Sequence, residues 1–259
     1  MRNLGYLTLA LVIAALCAFL PPFGKEAPLV EPKGIRVLDG DTIKLDDGGE
    51  TRTIRYLLID TPELHHPSRP VEELGREALL LNNDLLKRGS LRLEFDRELT
   101  DRYGRSLAYL FVDDGGEELF INEELVRHGV ALPMIIHPNR KYADRIIDAL
   151  NEARLAGRGL WHLASPRIFT ASQAWSEAPC LAGCFITLEL SVEKIDRSAK
   201  RIVLREGKTA LVAYKGPETE GVFSLSTGDR VRATGKLALS FNGCELPIAS
   251  DLQVERISF

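Results

Sequence analysis

The sequence predicts a mainly β chain with helices, an α+β architecture. It reads as a small β-barrel decorated by helices, followed by a second, barrel-like unit of OB type. Three observations carry this. Short runs such as "SLRLEFD" (90–96) alternate apolar and charged residues, as half-buried strands do. Leu74, Ala78, Leu81 and Leu85 recur at helical spacing between two such runs. From residue 183 onward, further strand-like runs follow one another with turn signals between them.

The elements follow in chain order. "GIRVLDGDTIKL" reads as two short strands joined at Asp39-Gly40-Asp41, and "DDGG" (46–49) as a hairpin turn. "IRYLLIDTPELHHP" (54–67) opens as a third strand through Ile54, Tyr56, Leu57, Leu58 and Ile59. "PVEELGREALLLNNDLLKR" supplies the amphipathic helix, and "SLRLEFD" the next strand. "SLAYLFV" (106–112) and "LFI" (119–121) flank the acidic turn "DDGGEE". Asn122 is placed to cap a short helix ending near Gly129. A last helix spans roughly 139–156, with Tyr142, Ile146, Leu150 and Ala153 on one face. This unit covers residues 34–163. Residues 164–182 lack periodicity and read as a linker. Residues 183–259 then carry "FITLELSV", "RIVLRE", "TALVAY", "DRVRATGKL" and "CELPIASDLQVERI" as strands, for which a β-sandwich fragment is the other reading.

At 259 residues and 45% apolar content the chain is long enough for one large or two modest cores. Residues 1–21, with Arg2 ahead of an almost unbroken apolar run from Leu4 to Leu20, read as a signal peptide or a membrane anchor. Residues 22–33, rich in Pro, Glu and Lys, read as a tether. The expected location is therefore outside the cytoplasm: extracellular or periplasmic, or anchored and facing outward. An exported chain can pair two of Cys180, Cys184 and Cys244, and the sequence does not choose among the three pairings. The spacing of Cys180 and Cys184, without nearby histidines, offers zinc a poor ligand set.

The net charge of −4 gives the chain as a whole no basic signature. Residues 31–170 hold 20 Lys and Arg against 25 Asp and Glu, a difference of −5, while residues 171–259 hold 11 of each. Affinity for phosphate follows local charge. Any phosphate chemistry must therefore come from particular arginines, with a metal to neutralise the acids.

Acids and arginines do gather where core strands end. Asp39 and Asp41 lie two apart, on one face of a strand. Asp60 ends the third strand, Thr61 and Glu63 follow it, and Arg55 precedes it by five residues. Arg105 follows the turn in "TDRYGRSLAYLF". Clustered carboxylates repel unless a cation offsets them, and Ca²⁺ accepts carboxylate, carbonyl and water oxygens. Asp41, Asp60 and the Thr61 carbonyl make such a donor set, with room for a phosphate. Arginines suit phosphate because the planar fork donates two parallel bonds. Glu63 is placed to orient or deprotonate a water. Taken singly, each feature has a plain structural explanation: a turn at "DGD", an ion pair at Arg55, a solvated turn at "DRYGR". His65 and His66 read as loop residues. The case rests on the whole set occurring together.

"VLDGDTIKL", "IRYLLIDTPELHHP", "VEELGREA", "TDRYGRSLAYLFV" and "INEELVRHGVA" together resemble the staphylococcal nuclease (thermonuclease) family, over roughly residues 33–163. The resemblance implies an OB-type five-stranded barrel with three helices and a Ca²⁺-dependent phosphodiesterase acting on DNA and RNA. It implies Asp41 and Asp60 as metal carboxylates, the Thr61 carbonyl as a ligand and Asp39 as a supporting acid. Glu63 matches the general base or water-positioner. Arg55 and Arg105 match the phosphate-binding arginines, and Tyr103 a tyrosine lining the nucleotide pocket. The implied mechanism is in-line attack of water on phosphorus with metal assistance, leaving 3′-phosphate ends. Met134 and Ile136 stand where the family's type member has tyrosines near the bound base. The acidic balance predicts a shallower salt dependence than a basic relative would show.

The rival reading is a non-catalytic scaffold that keeps the nuclease fold to bind nucleic acid or protein. Such a chain is expected to lose metal acids or arginines, and this one keeps Asp41, Asp60, Glu63, Arg55 and Arg105. In the C-terminal unit, Lys200, Arg201, Arg205 and Lys208 form a modest basic strip, with Phe185, Tyr214 and Phe223 as its nearest aromatics. Single-stranded nucleic acid and a protein partner are both open there.

Overall fold

Strand β1 (Ile35–Asp39) turns back through Gly40 into β2 (Thr42–Asp47), and β2 pairs with β3 (Glu50–Tyr56). The structure, a computed structural model, describes residues 34–47, 49–64 and 71–257. The N-terminal apolar run, the tether, His65 and His66 lie outside these. The run 54–59 is not one strand. β3 stops at Tyr56, Leu58 takes a left-handed φ of 66°, and β4 (Leu58–Asp60) leaves the main sheet. A left-handed leucine is strained. The backbone around it is held firmly, with Leu57 N–H donating to Ala108 O at 2.9 Å and Leu57 O accepting from Asn122 Nδ2 at 2.9 Å.

Helix α1 (Gly75–Leu86) buries Gly75, Ala78, Asn82, Leu85 and Leu86. The buried stripe thus includes a polar Asn82 and leaves Leu74 as the left-handed residue before the helix. The reason is chemical, since Asn82 bonds two groups beneath the site described below. Strands β5 (Ser90–Glu94), β6 (Ser106–Asp114) and β7 (Glu117–Phe120) follow. Helix α2 (Ile121–Arg127) starts after Phe120, so Asn122 is not its cap. Asn122 is fully buried, and its Oδ1 accepts Leu110 N–H at 3.0 Å. It ties β6 to the break at Leu57. Strand β8 (Leu132–Met134) pairs with β4, which the sequence pattern does not reveal. Helix α3 (Ala143–Leu155) buries Ile146, Leu150 and Ala153 as expected, with Tyr142 just before it, and a fourth, short helix, α4 (Leu160–Ala164), comes after.

The sheet order is β1-β2-β3-β6-β5, with β7 also on β6 and β3 parallel to β6. Among the described residues no pairing returns β5 to β1, so the expected barrel is not closed by hydrogen bonds. Helices cover the core instead: α1 packs on β1, and α2 packs on α1, α3 and β6. Ile43, Ile54, Leu110, Leu125, Ile146 and Leu150 are completely or almost completely buried there. Each such side chain contributes about 1.5–3 kcal/mol.

Residues 164–182, read as a linker, carry structure. Strand β9 (Ile168–Thr170) runs parallel to β10 (Phe185–Ser191), and helices α5 (Ala171–Ser176) and α6 (Ala178–Leu181) fill the interval. The helix start is legible after the fact, because Thr170 and Gln173 form a reciprocal cap. Beyond β10 come β11 (Lys194–Arg197), β12 (Arg201–Glu206), β13 (Thr209–Tyr214), α7 (Glu220–Phe223), β14 (Arg230–Lys236), β15 (Ala238–Ser240), β16 (Gly243–Ile248) and β17 (Val254–Arg256). They form two sheets, β17-β14-β10-β9 and β11-β12-β13-β16-β15, rather than one closed barrel. Both sheets feed one core containing Ile186, Leu188, Leu204, Leu211, Val231 and Leu246. Phe185 belongs to the first core, so it is not available to a nucleic acid. Cys180, Cys184 and Cys244 are all free thiols, so the expected pairing of two of them is absent. Cys244 is buried against Thr209 Oγ1. Among the described residues no helix is long and apolar enough to cross a membrane.

Candidate active site

The break at Leu57–Leu58 places both acid segments on one cleft. Gly40 makes the approach possible: a Cβ there would lie 2.6 Å from Ala78 Cβ and 2.7 Å from the Thr61 side chain. Only glycine lets the Asp39–Asp41 turn sit against α1 and Thr61 so closely. The turn is fixed from below. Tyr56 Oη donates to Asn82 Oδ1 at 2.8 Å, Asn82 Nδ2 donates to Asp39 O at 3.2 Å, and Tyr56 N–H donates to Asp41 O at 2.9 Å.

On this base the acids converge. Asp41 is 5% exposed, and its Oδ2 accepts Thr61 N–H at 2.7 Å. The Arg55 guanidinium lies between two carboxylates, with Nη1 2.8 Å from Asp41 Oδ2 and Nη2 2.8 Å from Asp60 Oδ1. It also donates to Ile59 O at 3.1 Å. Burial, reinforced by the neighbouring Asp41 charge, pushes Asp39 up to about 7. Burial likewise raises Asp60 above the usual carboxylate range, against the pull of Arg55. The cluster sets three carboxylates, Asp39, Asp41 and Asp60, around one guanidinium.

The far wall carries the second arginine. Arg105 Nε donates to Asp101 Oδ2 at 2.7 Å, and Asp101 Oδ1 also accepts the N–H groups of Tyr103 and Arg105. Burial lifts Asp101, but these bonds outweigh it and hold its carboxyl below the ordinary value. Tyr103 is 69% exposed and stacks near Arg102 and Arg105, 4.8 and 5.6 Å from its ring centre. Met134 and Ile136, 41% and 62% exposed, contribute an apolar wall. The whole forms a cleft of about 670 Å³ that includes Asp39, Asp41, Arg55, Asp60, Thr61, Glu63, Tyr103 and Arg105. The candidate catalytic, metal and nucleotide residues named from the sequence all line this one cleft. Sequence reasoning missed the supports, Tyr56, Asn82 and Asp101. The only signal for Asn82 was an amide inside an otherwise leucine-rich helical stripe.

Among the described residues no group of three or more His, Cys, Asp or Glu is arranged to hold a metal ion by itself. Asp41, Asp60 and the Thr61 carbonyl are hard oxygen donors on one cleft, with Asp39 beside them and Arg55 the cation between Asp41 and Asp60. That chemistry fits a hard divalent cation completed by water and substrate oxygens rather than a closed protein cage.

This fold and cleft define a class, and the chain belongs to the staphylococcal nuclease family. A family profile described as "Staphylococcal nuclease homologue" matches residues 53–163. The chain is similar to the thermonuclease of Staphylococcus hyicus, 40% identical over 129 residues, covering 50% of this chain and 74% of that protein. It is likewise similar to the thermonuclease of Staphylococcus intermedius, at 37% over 143 residues, covering 54% and 83%. Endonuclease YncB of Bacillus subtilis is 39% identical over 128 residues, and there the match spans 59% of the relative's length and 49% of this chain.

Proposed function

We infer that the chain is a Ca²⁺-dependent nuclease, a phosphodiesterase that hydrolyses DNA, RNA or both and leaves 3′-phosphate ends. The observation that carries this is the convergence of Asp41, Asp60, Thr61, Glu63, Arg55 and Arg105 on one cleft. The names of the relatives, thermonucleases and endonucleases, support it.

The roles follow from position. Asp41, Asp60 and the Thr61 carbonyl hold the cation, with Asp39 supporting them from the turn. Bound there, Ca²⁺ supplies Lewis-acid polarisation of the phosphoryl oxygens. Arg55 and Arg105 donate to those oxygens as charge builds on them. Glu63 orients the attacking water and accepts its proton. The new P–O bond forms as the P–O5′ bond breaks; O5′ takes a proton from solvent water, which leaves the phosphate on the 3′ side and a 5′-hydroxyl. Tyr103, with Met134 and Ile136, borders the space for the nucleotide. A purely binding scaffold has no need of this full set. Calorimetry checks the cation site. Ca²⁺ binds the protein with a non-hydrolysable nucleotide present, and Asp41→Asn or Asp60→Asn weakens it at least tenfold. Equal affinity in both variants removes the assigned ligands.

We read residues 34–163 as the nuclease domain and residues 183–259 as an OB-type domain. The hairpin of β12 and β13, with β13 parallel to β16, supports the second assignment. Export or anchoring rests on the composition of residues 1–21 alone.

A further inference from the structure

Glu63 is placed by its backbone, because among the described residues its carboxylate has no hydrogen-bond or ion-pair partner. Residue 72 grips its peptide from both sides. Glu72 N–H donates to Glu63 O at 3.0 Å, and Glu63 N–H donates to Glu72 Oε2 at 2.8 Å. Glu72 is 9% exposed, and the same Oε2 accepts from the Lys236 ammonium.

Lys236 ends β14, far along the chain, and its backbone is firmly set. It pairs in register with Phe185 of β10. The adjoining Leu237 N–H donates to Cys184 O at 3.0 Å, and Leu237 O accepts from Gly183 N–H at 2.9 Å. Glu73 is anchored on the same elements. Its carboxylate takes Arg167 Nη1 at 2.7 and 2.8 Å and Phe185 N–H at 2.8 Å, and its own N–H donates to Gly183 O at 3.2 Å. Both acids are therefore docked on the C-terminal unit, and one of them carries the Glu63 peptide.

We propose that Lys236 is a positioning residue for the cleft: it fixes Glu72, and Glu72 fixes the Glu63 peptide. The C-terminal unit is then part of the working geometry of the first. A buried carboxylate that loses its cation must move or take a proton, and either change releases its hold on Glu63. Displacement of a reacting group by about 1 Å can cost about a hundredfold in rate. The inference rests on the reading of Glu63 as the water-orienting group.

The test uses the full chain with Lys236→Met and Lys236→Arg. Lys236→Met keeps the stem and removes the charge, and it is expected to lower kcat about tenfold or more while KM stays within about twofold. Lys236→Arg, which returns a cation, is expected to recover most of that loss. Residue-resolved amide exchange supplies a readout independent of cleavage: the Glu63 N–H exchanges faster in Lys236→Met, while amides of β6 are unchanged. Wild-type kcat and wild-type exchange at Glu63 in Lys236→Met overturn the proposal. So does a general rise in exchange with kcat per folded molecule intact, since that marks a merely structural bond. If the wild type cleaves neither DNA nor RNA, the functional reading falls, and exchange at Glu63 still decides the positioning.

Discussion

At Arg55 one guanidinium meets two carboxylates, and its side chain is 11% exposed against 6% for Asp41. Desolvation makes such a pair costly to break from one side, about 3–5 kcal/mol, because the partner is left charged and unpaired. Arg55→Ala is therefore expected to lower unfolding free energy by that amount in urea titration, as well as activity. Unchanged stability would mean that the pair is not formed in solution. Arg105 differs, being one-third exposed, and its pair with Asp101 adds at most about 1 kcal/mol. Its removal bears chiefly on the chemistry. The charged residues of the cleft were legible in the sequence because acids and arginines gathered near strand ends stand out from an apolar, alternating pattern. Tyr56 and Asn82 were not, because their role is set by what they touch across the fold.

Among elements, the break between β3 and β4 matters most for the site, and periodicity hid it. A run of apolar residues reads as one strand whether or not a single left-handed residue interrupts it. Turn signals and alternation did locate β1, β2, β5, β6 and the three longer helices. They missed β8, β9, β11 and β15, strands of three or four residues and too short to show a period. The join between β5 and α3 offers a pH test. Asp96 accepts Tyr109 Oη at 2.6 Å and the N–H groups of Arg97, Arg140 and Lys141. Burial raises its pKa, but these bonds outweigh that and leave it below 3.8. A depressed carboxyl stabilises the fold above pH 3.8 and loses that contribution as pH falls through its folded value. Asp96→Asn is expected to lower stability at neutral pH and to flatten its decline below pH 3.8, measured by thermal melts. A parallel decline in both proteins would count against the assignment.

For the whole molecule, the structure shows that the two cores are tied together where the sequence suggests a plain linker. Phe185 packs in the first core, Arg167 and Lys236 hold Glu73 and Glu72, and Arg140 pairs with Glu218. Such contacts join residues far apart in sequence, so no local pattern announces them. The C-terminal strip changes as well. Phe185 is buried and Phe223 packs against the second core, while Arg201 and Tyr214 face each other in register and are exposed. Were a single strand to bind this strip, charge and stacking would act through this pair. Fluorescence anisotropy of a labelled oligonucleotide is expected to show weaker binding for Tyr214→Ala; equal binding assigns the strip no such role.

The measurement that bears most directly on the central claim is cleavage of single- and double-stranded DNA and RNA by the full chain. It is run with Ca²⁺, with EGTA, and beside Arg105→Ala. The account predicts cleavage that requires Ca²⁺ and falls about 10²–10³-fold in the variant, whose fold is unchanged. Cleavage that persists in EGTA, or at the wild-type rate in Arg105→Ala, or no cleavage by a folded wild type on any of these substrates, would contradict it.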